Sequence, residues 1–223
     1  MSSYVVNLNT VDMSRSVTEA LNTLRTNLFY MENVKCIVLT SSLPGEGKSI
    51  VSFALARSFA AMGKNTLYID CDMRASRTRS YYKVASEEKI TGLSEYLSGQ
   101  APLRVYNTNI DRLSVVFSGK FPPDPAGMLS SAYFEKMLTK LKDMYSYIII
   151  DTPPVSAAVD SAVVGRLADG IVYVVRHNYV KQTLAKRCND KLERNDCRVL
   201  GVVMNSVDSD SSSYYEGYYG YYY

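Results

Sequence analysis

The chain has 223 residues, which suits a single α/β domain, and its 47% hydrophobic and 21% charged residues are typical of a soluble protein with a proper core. The net charge of +3 is too small to favour nucleic acid as a partner, and no apolar run approaches the ~18 residues of a membrane span. The N-terminus has no basic-then-apolar signal sequence, and four cysteines without metal or CxxC spacing favour reduced, buried thiols. A cytoplasmic location is therefore expected.

The first half of the chain alternates between helical and strand patterns. A capping-box spacing between Ser16 and Glu19 precedes apolar residues at helical intervals. The predicted elements are a helix at about 17–31, a strand at 36–40, a helix at 48–62, a strand at 66–70, a short helix at 91–97 and a strand at 113–117.

The second half continues the alternation. The predicted elements are a helix at 126–144, a strand at 147–151, a helix at 160–168, a strand at 171–175, a helix at 180–194 and a strand at 199–204. Continuous apolar strands alternating with helices predict an α/β fold, with a parallel sheet covered by helices on both faces. Residues 1–207 then form the domain. Residues 208–223 contain Ser, Gly, Tyr and acidic residues with no aliphatic side chain, which predicts a disordered tail.

A glycine turn between the first buried strand and its following helix predicts a P-loop, as in the P-loop NTPases. Gly45 and Gly47 shape the turn, and Lys48 and Ser49 open the helix, so that backbone N–H groups point at phosphates. Lys48 is expected at the β/γ-oxygens of ATP and the Ser49 hydroxyl on Mg²⁺. Ser42 stands where such loops usually have their first glycine. The predicted nucleotide-binding residues are Pro44, Gly45, Glu46, Gly47, Lys48, Ser49 and Ile50.

Carboxylates end two further strands. Asp151 closes the strand at 147–150, and Asp70 and Asp72 close the strand that follows the P-loop helix. Ligands of open α/β sheets sit beyond the carboxyl ends of the strands, so these acids are expected beside the P-loop with Mg²⁺ between them. For Asp72, capping of the next turn is the structural alternative. Asn205 follows the last strand, where it either reads adenine through its amide or ends the strand as a turn residue.

Three segments together resemble one family, the bacterial tyrosine kinases of capsule and exopolysaccharide biosynthesis. They are the P-loop segment 41–49, the segment 67–74 that contains Asp70-Cys71-Asp72-Met73-Arg74, and the segment 148–151. The second is similar to the family's Walker A′ element. The family's other hallmark is a C-terminal tyrosine cluster, and seven tyrosines fall within the last ten residues here: Tyr214, Tyr215, Tyr218, Tyr219, Tyr221, Tyr222 and Tyr223.

The resemblance implies a protein-tyrosine kinase that phosphorylates its own tail tyrosines between subunits. In that mechanism Asp70 is the candidate base toward the incoming phenol, Asp72 and Asp151 organise Mg²⁺, and Lys48 and Ser49 hold phosphates and metal. The implied partners are a membrane adaptor of the polysaccharide co-polymerase type, other subunits in a homo-oligomeric ring, and a tyrosine phosphatase. The adaptor would hold the protein at the inner face of the membrane.

The first helix carries a variant of the family's oligomerisation motif, Glu-x-x-Arg-x-x-Arg. Here Glu19 and Arg25 match, while Asn22 replaces the first arginine. Glu19 and Arg25 are therefore the predicted interface residues of the ring.

Two other functions compete with the kinase. Partition and positioning ATPases share the motifs, but they carry a lysine at the position of Leu43. A non-catalytic, nucleotide-sensing adaptor is the second alternative. The basic run that follows the Walker A′ element is either a solvated face or a dock for a neighbour's acidic tail; it comprises Arg74, Arg77, Arg79 and Lys83.

Overall fold

The computed structural model describes residues 4–10, 12–86 and 89–207, and these form one eight-stranded sheet with helices on both faces. The strands are β1 (Val5–Val6), β2 (Cys36–Ser41), β3 (Thr66–Asp70), β4 (Tyr106–Thr108), β5 (Leu113–Val116), β6 (Tyr147–Asp151), β7 (Gly170–Arg176) and β8 (Val199–Asn205). The helices are α1 (Arg15–Phe29), α2 (Lys48–Ala61), α3 (Thr78–Tyr81), α4 (Leu93–Leu97), α5 (Pro125–Leu129), α6 (Ala132–Met144), α7 (Asp160–Gly165) and α8 (Gln182–Glu193).

The strand order is β1-β4-β5-β3-β6-β2-β7-β8. Every pair from β5 to β8 is parallel, which confirms the predicted architecture for the central sheet. Strand β4 runs antiparallel to β5, and β1 pairs in parallel with β4 at the edge of the sheet. The sequence analysis missed β1 and β4 because two or three residues are too few to establish a period.

The buried strands contribute side chains to two hydrophobic cores, one on each face of the sheet. In β2, Cys36 and Val38 face the core beneath α6, α7 and α8, whereas Ile37 and Leu39 face the core beneath α2. Side chains alternate between faces along a strand, so a strand buried on both faces is apolar throughout. Helix α1 packs outside this sandwich, against α2.

Several predicted helices differ in their bounds from the observed ones, and two of the differences have a clear local cause. The single helix predicted at 126–144 is wrong: the chain breaks between α5 and α6, where the Ser131 side chain accepts a hydrogen bond from the Phe134 amide (3.2 Å) and begins a new helix. Helix α1 begins earlier than predicted because Ser14, rather than Ser16, is its N-cap. The Glu19 carboxylate accepts from Arg15 one turn away (2.9 Å) instead of completing a capping box.

In the part of the chain that the structure describes, none of the helices has both the length and the apolar character to cross a bilayer. The predicted disordered tail, residues 208–223, and its seven candidate acceptor tyrosines lie outside the described residues. The domain boundary at residue 207 therefore stays a prediction.

Candidate active site

The topology gathers the predicted site residues at one edge of the sheet. Strands β3, β6 and β2 are neighbours, and the P-loop follows β2 directly. Asp70 and Asp151 are paired across β3 and β6 in register, so their side chains emerge at the same level. Parallel strands present their carboxyl ends together, which is why these separated motifs meet.

The P-loop is held by side chains from three directions. The buried Glu46 carboxylate accepts from the Leu43 amide (2.6 Å) and from the Arg176 amide (3.0 Å). Asn205 donates its side-chain N–H to the Glu46 carbonyl (2.9 Å), and the Tyr179 hydroxyl donates to the Pro44 carbonyl (3.0 Å). These bonds leave the loop's backbone N–H groups and the start of α2 as the phosphate-facing surface.

The glycine at position 47 is required by both conformation and space. Its φ of 86° lies in the left-handed region, and a Cβ there would stand 2.1 Å from the Asn205 amide nitrogen. Asn205 thus supports the loop from outside. Asn205 does not line the cavity that contains Lys48, Ser49 and Asp72, and its predicted contact with adenine stays untested.

Ser42, which replaces the usual first glycine, is buried and shares a hydrogen bond of 2.5 Å with the Tyr173 hydroxyl. Tyr173 in turn donates to the Ala185 carbonyl in α8 (3.3 Å). A serine fits here because its hydroxyl has a buried partner. The departure from the usual motif therefore leaves the loop intact.

Lys48 lies between two of the predicted carboxylates. Its ammonium is 3.1 Å from Asp72 Oδ2 and 3.7 Å from Asp151 Oδ2, and it contacts Ser49 Oγ at 3.2 Å. Burial opposes the charge, but Asp151 and Asp72 outweigh it and raise the pKa of the Lys48 ammonium above its usual value. The lysine is thus fully charged at neutral pH.

Asp151 is fully buried, and neither oxygen of its carboxylate accepts a hydrogen bond in the residues that the structure describes. Burial raises the pKa of Asp151 despite the nearby lysine. A buried carboxylate without donors is costly unless a cation joins it. This is the observation that a divalent cation would explain.

Asp70 lies beneath the same edge. Its carboxylate accepts hydrogen bonds from the Ser76 hydroxyl and from the Asp72 amide (3.1 Å). Burial, followed by the charge of Asp151, raises the pKa of Asp70 to about 7. Asp70 does not line the main cavity, whereas Asp72 does.

The donor set fits Mg²⁺ better than a metal that needs a protein cage. Ser49, Asp72 and Asp151 surround Lys48, but among residues 4–10, 12–86 and 89–207 no three His, Cys, Asp or Glu side chains form a self-sufficient metal cluster. Mg²⁺ is usually held by one or two carboxylates together with waters and substrate phosphates. Ser49, Asp72 and Asp151 offer one hydroxyl and two carboxylates of this kind, and their role as Mg²⁺ ligands stays a prediction.

A cavity of about 580 Å³ opens above these residues. Gly45, Gly47, Lys48 and Ser49 form the phosphate wall. The cavity is also lined by residues of the segment after Asp72 and by Pro153, Pro154 and Ala157. The volume is in the range of ordinary ligand sites.

The structure adds residues that the sequence analysis missed. Arg74 makes a bidentate ion pair with Asp160, at 2.9 and 3.0 Å, and Asp160 is buried at the start of α7. Asp160 gave no sequence signal because its partner, Arg74, is 86 residues away. Ser76 gave none because its hydrogen bond to Asp70 depends on how the segment after β3 folds. The basic run is also divided: Arg74 and Arg77 line the main cavity, whereas Arg79 lines a separate one.

The two predicted interface residues lie on α1. The Arg25 guanidinium donates to the side-chain oxygen of Ser58 in α2 (3.0 Å), and Glu19 pairs with Arg15. The contacts of Arg25 within its own chain help to hold α1 on the domain. Their role between subunits stays a prediction.

A family model described as an AAA domain matches residues 34–186. The tyrosine-protein kinase CpsD of Streptococcus agalactiae is 39% identical over 212 residues, which cover 94% of this chain and 91% of that protein. The chain belongs to the bacterial tyrosine kinases. Its enzyme class is accordingly protein-tyrosine kinase, and its P-loop is a nucleotide-binding site.

Solved structures agree with this family. The chimerical protein CapA2B2 superposes with a TM-score of 0.83 at 28% identity, covering 91% of this chain and 93% of that one. The kinase domain of the Escherichia coli tyrosine kinase ETK superposes with a TM-score of 0.79 at 28% identity, covering 87% and 78%. This bacterial tyrosine kinase thus has relatives over nearly its whole length.

Proposed function

We propose that this protein is an ATP- and Mg²⁺-dependent tyrosine autokinase that phosphorylates the tyrosine cluster of a neighbouring subunit's tail and so regulates capsular or exopolysaccharide synthesis and export. The observation that carries the proposal is the group of charges around Lys48. A charged lysine lies within 3.7 Å of two carboxylates, and the buried Asp151 carboxylate makes no close hydrogen bond in the described chain. ATP phosphates and Mg²⁺ supply the missing partners on both sides.

Phosphoryl transfer depends mainly on positioning and charge neutralisation. Lys48, which contacts Asp72 and Asp151 in this structure, is expected to exchange these contacts for β/γ-phosphate oxygens. The backbone N–H groups of Gly45 to Ser49 hold the phosphates at the start of α2. Arg74, held in place by the buried Asp160, presents its guanidinium at the cavity.

The carboxylates at this edge of the sheet would bind the cation and accept the proton of the phenol. Ser49, Asp72 and Asp151 would hold Mg²⁺, which neutralises charge on the transferring phosphoryl group when it is bound. Asp70 is the candidate proton acceptor for the phenol, held by hydrogen bonds from Ser76 and the Asp72 amide. The phenol oxygen forms the new bond to the γ-phosphorus as the bond to the β–γ bridging oxygen breaks and ADP leaves.

The proposed partners follow from the acceptor and from the relatives. Transfer in trans needs other subunits, for which Glu19 and Arg25 on α1 are the proposed contacts. A membrane adaptor of the polysaccharide co-polymerase type would activate the kinase and keep it at the inner face of the membrane. A tyrosine phosphatase would restore the unmodified tail. The relative named CpsD and the chimera CapA2B2 support this assignment to capsule systems.

The test is phosphorylation of purified protein with Mg-ATP, with and without the cytoplasmic tip of a candidate adaptor, followed by mass spectrometry. We expect phosphotyrosine among Tyr214 to Tyr223. To test transfer in trans, a Lys48→Met protein with an intact tail is mixed with an active protein truncated after Val207. Phosphate on the Lys48→Met tail supports transfer between subunits, and its absence beside a labelled wild type contradicts it. ATP hydrolysis without phosphotyrosine would instead favour a partition-type ATPase.

A further inference from the structure

We propose that the ring of Tyr81 is the platform on which the acceptor tyrosine lies, so that Tyr81 is a positioning residue that favours a phenol over an aliphatic hydroxyl. This inference rests on the proposed kinase function and extends it to recognition of the acceptor. The occupant is the tail of a second copy of this chain.

Tyr81 is the outermost member of a series of four aromatic rings. Tyr68 in β3 packs edge-on against Phe53 in α2, with ring centroids 5.3 Å apart. Phe53 lies 4.0 Å from the ring of Tyr82, and Tyr82 packs edge-on against Tyr81 at 4.9 Å. The first three rings are buried, whereas Tyr81 is 49% exposed. The series therefore ends in a ring that is fixed on one side and open on the other.

The open ring lies at the place where an acceptor would enter. Tyr81 lines the same cavity as Lys48, Ser49 and Asp72. The series connects it to α2, the helix that begins at Lys48. A ring placed against Tyr81 would thus have its hydroxyl in the cavity that holds the candidate phosphate-binding groups.

An aromatic platform provides selection that the charged groups lack. Lysine, carboxylates and backbone N–H groups position phosphate equally well for any hydroxyl acceptor. Rings pack in offset or edge-to-face geometry, and a serine or threonine side chain cannot make that contact. Tyr82 repeats the edge-to-face geometry on the inner side of Tyr81, which shows that the ring is held in an orientation suited to such packing.

The charge of the same wall suits the proposed occupant. Arg77 lines the cavity beside Tyr81. In the sequence after Val207, Asp208 and Asp210 precede the tyrosines, Glu216 lies among them, and there is no basic residue. A segment that carries both tyrosine rings and carboxylates matches a cavity lined by an open ring and a guanidinium.

The experiment uses full-length enzymes in which the seven tail tyrosines are Phe, so that a synthetic peptide of residues 208–223 is the acceptor. Phosphate on the peptide is measured at varied peptide and ATP concentrations. For Tyr81→Ala we expect the acceptor KM to rise about 3- to 10-fold, the size of one lost ring contact, with the KM for ATP unchanged. Tyr81→Phe keeps the ring and should behave as the parent enzyme. Tyr133→Ala, in α6 and 70% exposed, is the matched control.

Other outcomes overturn the inference. An unchanged acceptor KM in Tyr81→Ala shows that the ring does not position the peptide. Equal losses in Tyr81→Ala and Tyr81→Phe show that the hydroxyl, rather than the ring, matters. A parallel rise in the KM for ATP places the effect in the nucleotide site. If the parent enzyme itself transfers no phosphate, both this inference and the proposed function fail, whereas transfer by the parent with a normal Tyr81→Ala removes only the inference.

Discussion

The two walls of the active-site cavity are built by different interactions. The phosphate wall is a backbone loop in which the Glu46 carboxylate accepts from the Arg176 amide, while Tyr179 and Asn205 donate to loop carbonyls. The wall around Tyr81 is held by the packing of rings against α2. Hydrogen bonds fix donor positions within tenths of an ångström, as bound phosphate requires. Ring packing has a broader optimum, and that tolerance would suit the proposed role of Tyr81 in binding tyrosines from a segment with several of them.

This comparison predicts that changes at the phosphate wall abolish nucleotide chemistry, whereas changes around Tyr81 weaken recognition of the proposed acceptor. The largest effect is expected for Lys48→Met. The charge between Asp72 and Asp151 is lost, so phosphotyrosine formation should fall by about three orders of magnitude or more. Lys140→Met, on the exposed face of α6, is the control and should leave the rate unchanged. Substantial activity in Lys48→Met, measured by mass spectrometry, would remove the lysine from the mechanism.

A pair of glycines tests the loop itself. Gly47 and Gly63 both have positive φ, at 86° and 75°, but only at Gly47 would a Cβ meet another atom, the Asn205 amide nitrogen at 2.1 Å. Each alanine variant should lose about 1 kcal/mol of stability from backbone strain. Only Gly47→Ala should also lower ADP affinity, by about 100-fold, in calorimetric titration. Similar affinities for the two variants would mean that Asn205 yields without disturbing the loop.

The buried carboxylates should make stability depend on pH when nucleotide and metal are removed with EDTA. The pKa of Asp70 is raised to about 7, above its unfolded value near 4, so the folded state binds the extra proton. Stability contributed by protonated Asp70 is therefore present at pH 4 and is lost as the pH rises through 7. Asp70→Asn should flatten this slope and raise the melting temperature more at pH 8 than at pH 5. A slope unchanged by the substitution would assign it to other groups.

The smallest effect is expected at one brace of the loop. Tyr179→Phe removes the hydroxyl that donates to the Pro44 carbonyl but keeps the ring beside Arg176. One exposed hydrogen bond contributes about 1 kcal/mol, so ADP affinity should fall about threefold to fivefold. Tyr133→Phe serves as the control. A loss as large as that of Gly47→Ala would show that this single bond dominates the phosphate wall.

The sequence was most informative where one local pattern determines one local structure. The run Cys36 to Thr40 and the glycines at 45 and 47 predicted the strand and the loop, and both are observed. Asp151 and Asp72 were expected near Lys48 because parallel strands present their ends together, and the distances of 3.7 and 3.1 Å confirm this. Such features depend on short-range geometry and on the topology of a parallel sheet.

Features that depend on distant partners were not predictable. Asp160 gave no signal for its pairing with Arg74, which lies 86 residues away. The apolar residues of 126–144 kept a helical period across the break at Ser130 and Ser131, so the periodicity concealed a new N-cap. Tyr81 and Tyr82 gave no sequence signal, because their connection to the P-loop helix through Phe53 is visible only in the structure.

Strand β8 gives the proposed acceptor segment, residues 208–223, a fixed point of attachment. The strand ends at Asn205, whose side chain is hydrogen-bonded to the P-loop, and the tail begins only three positions later, at residue 208. A fully extended chain adds at most about 3.6 Å per residue, so the tether from Val207 is at most about 25 Å for Tyr214 and about 58 Å for Tyr223. The seven tyrosines are therefore graded in reach by their order along the chain.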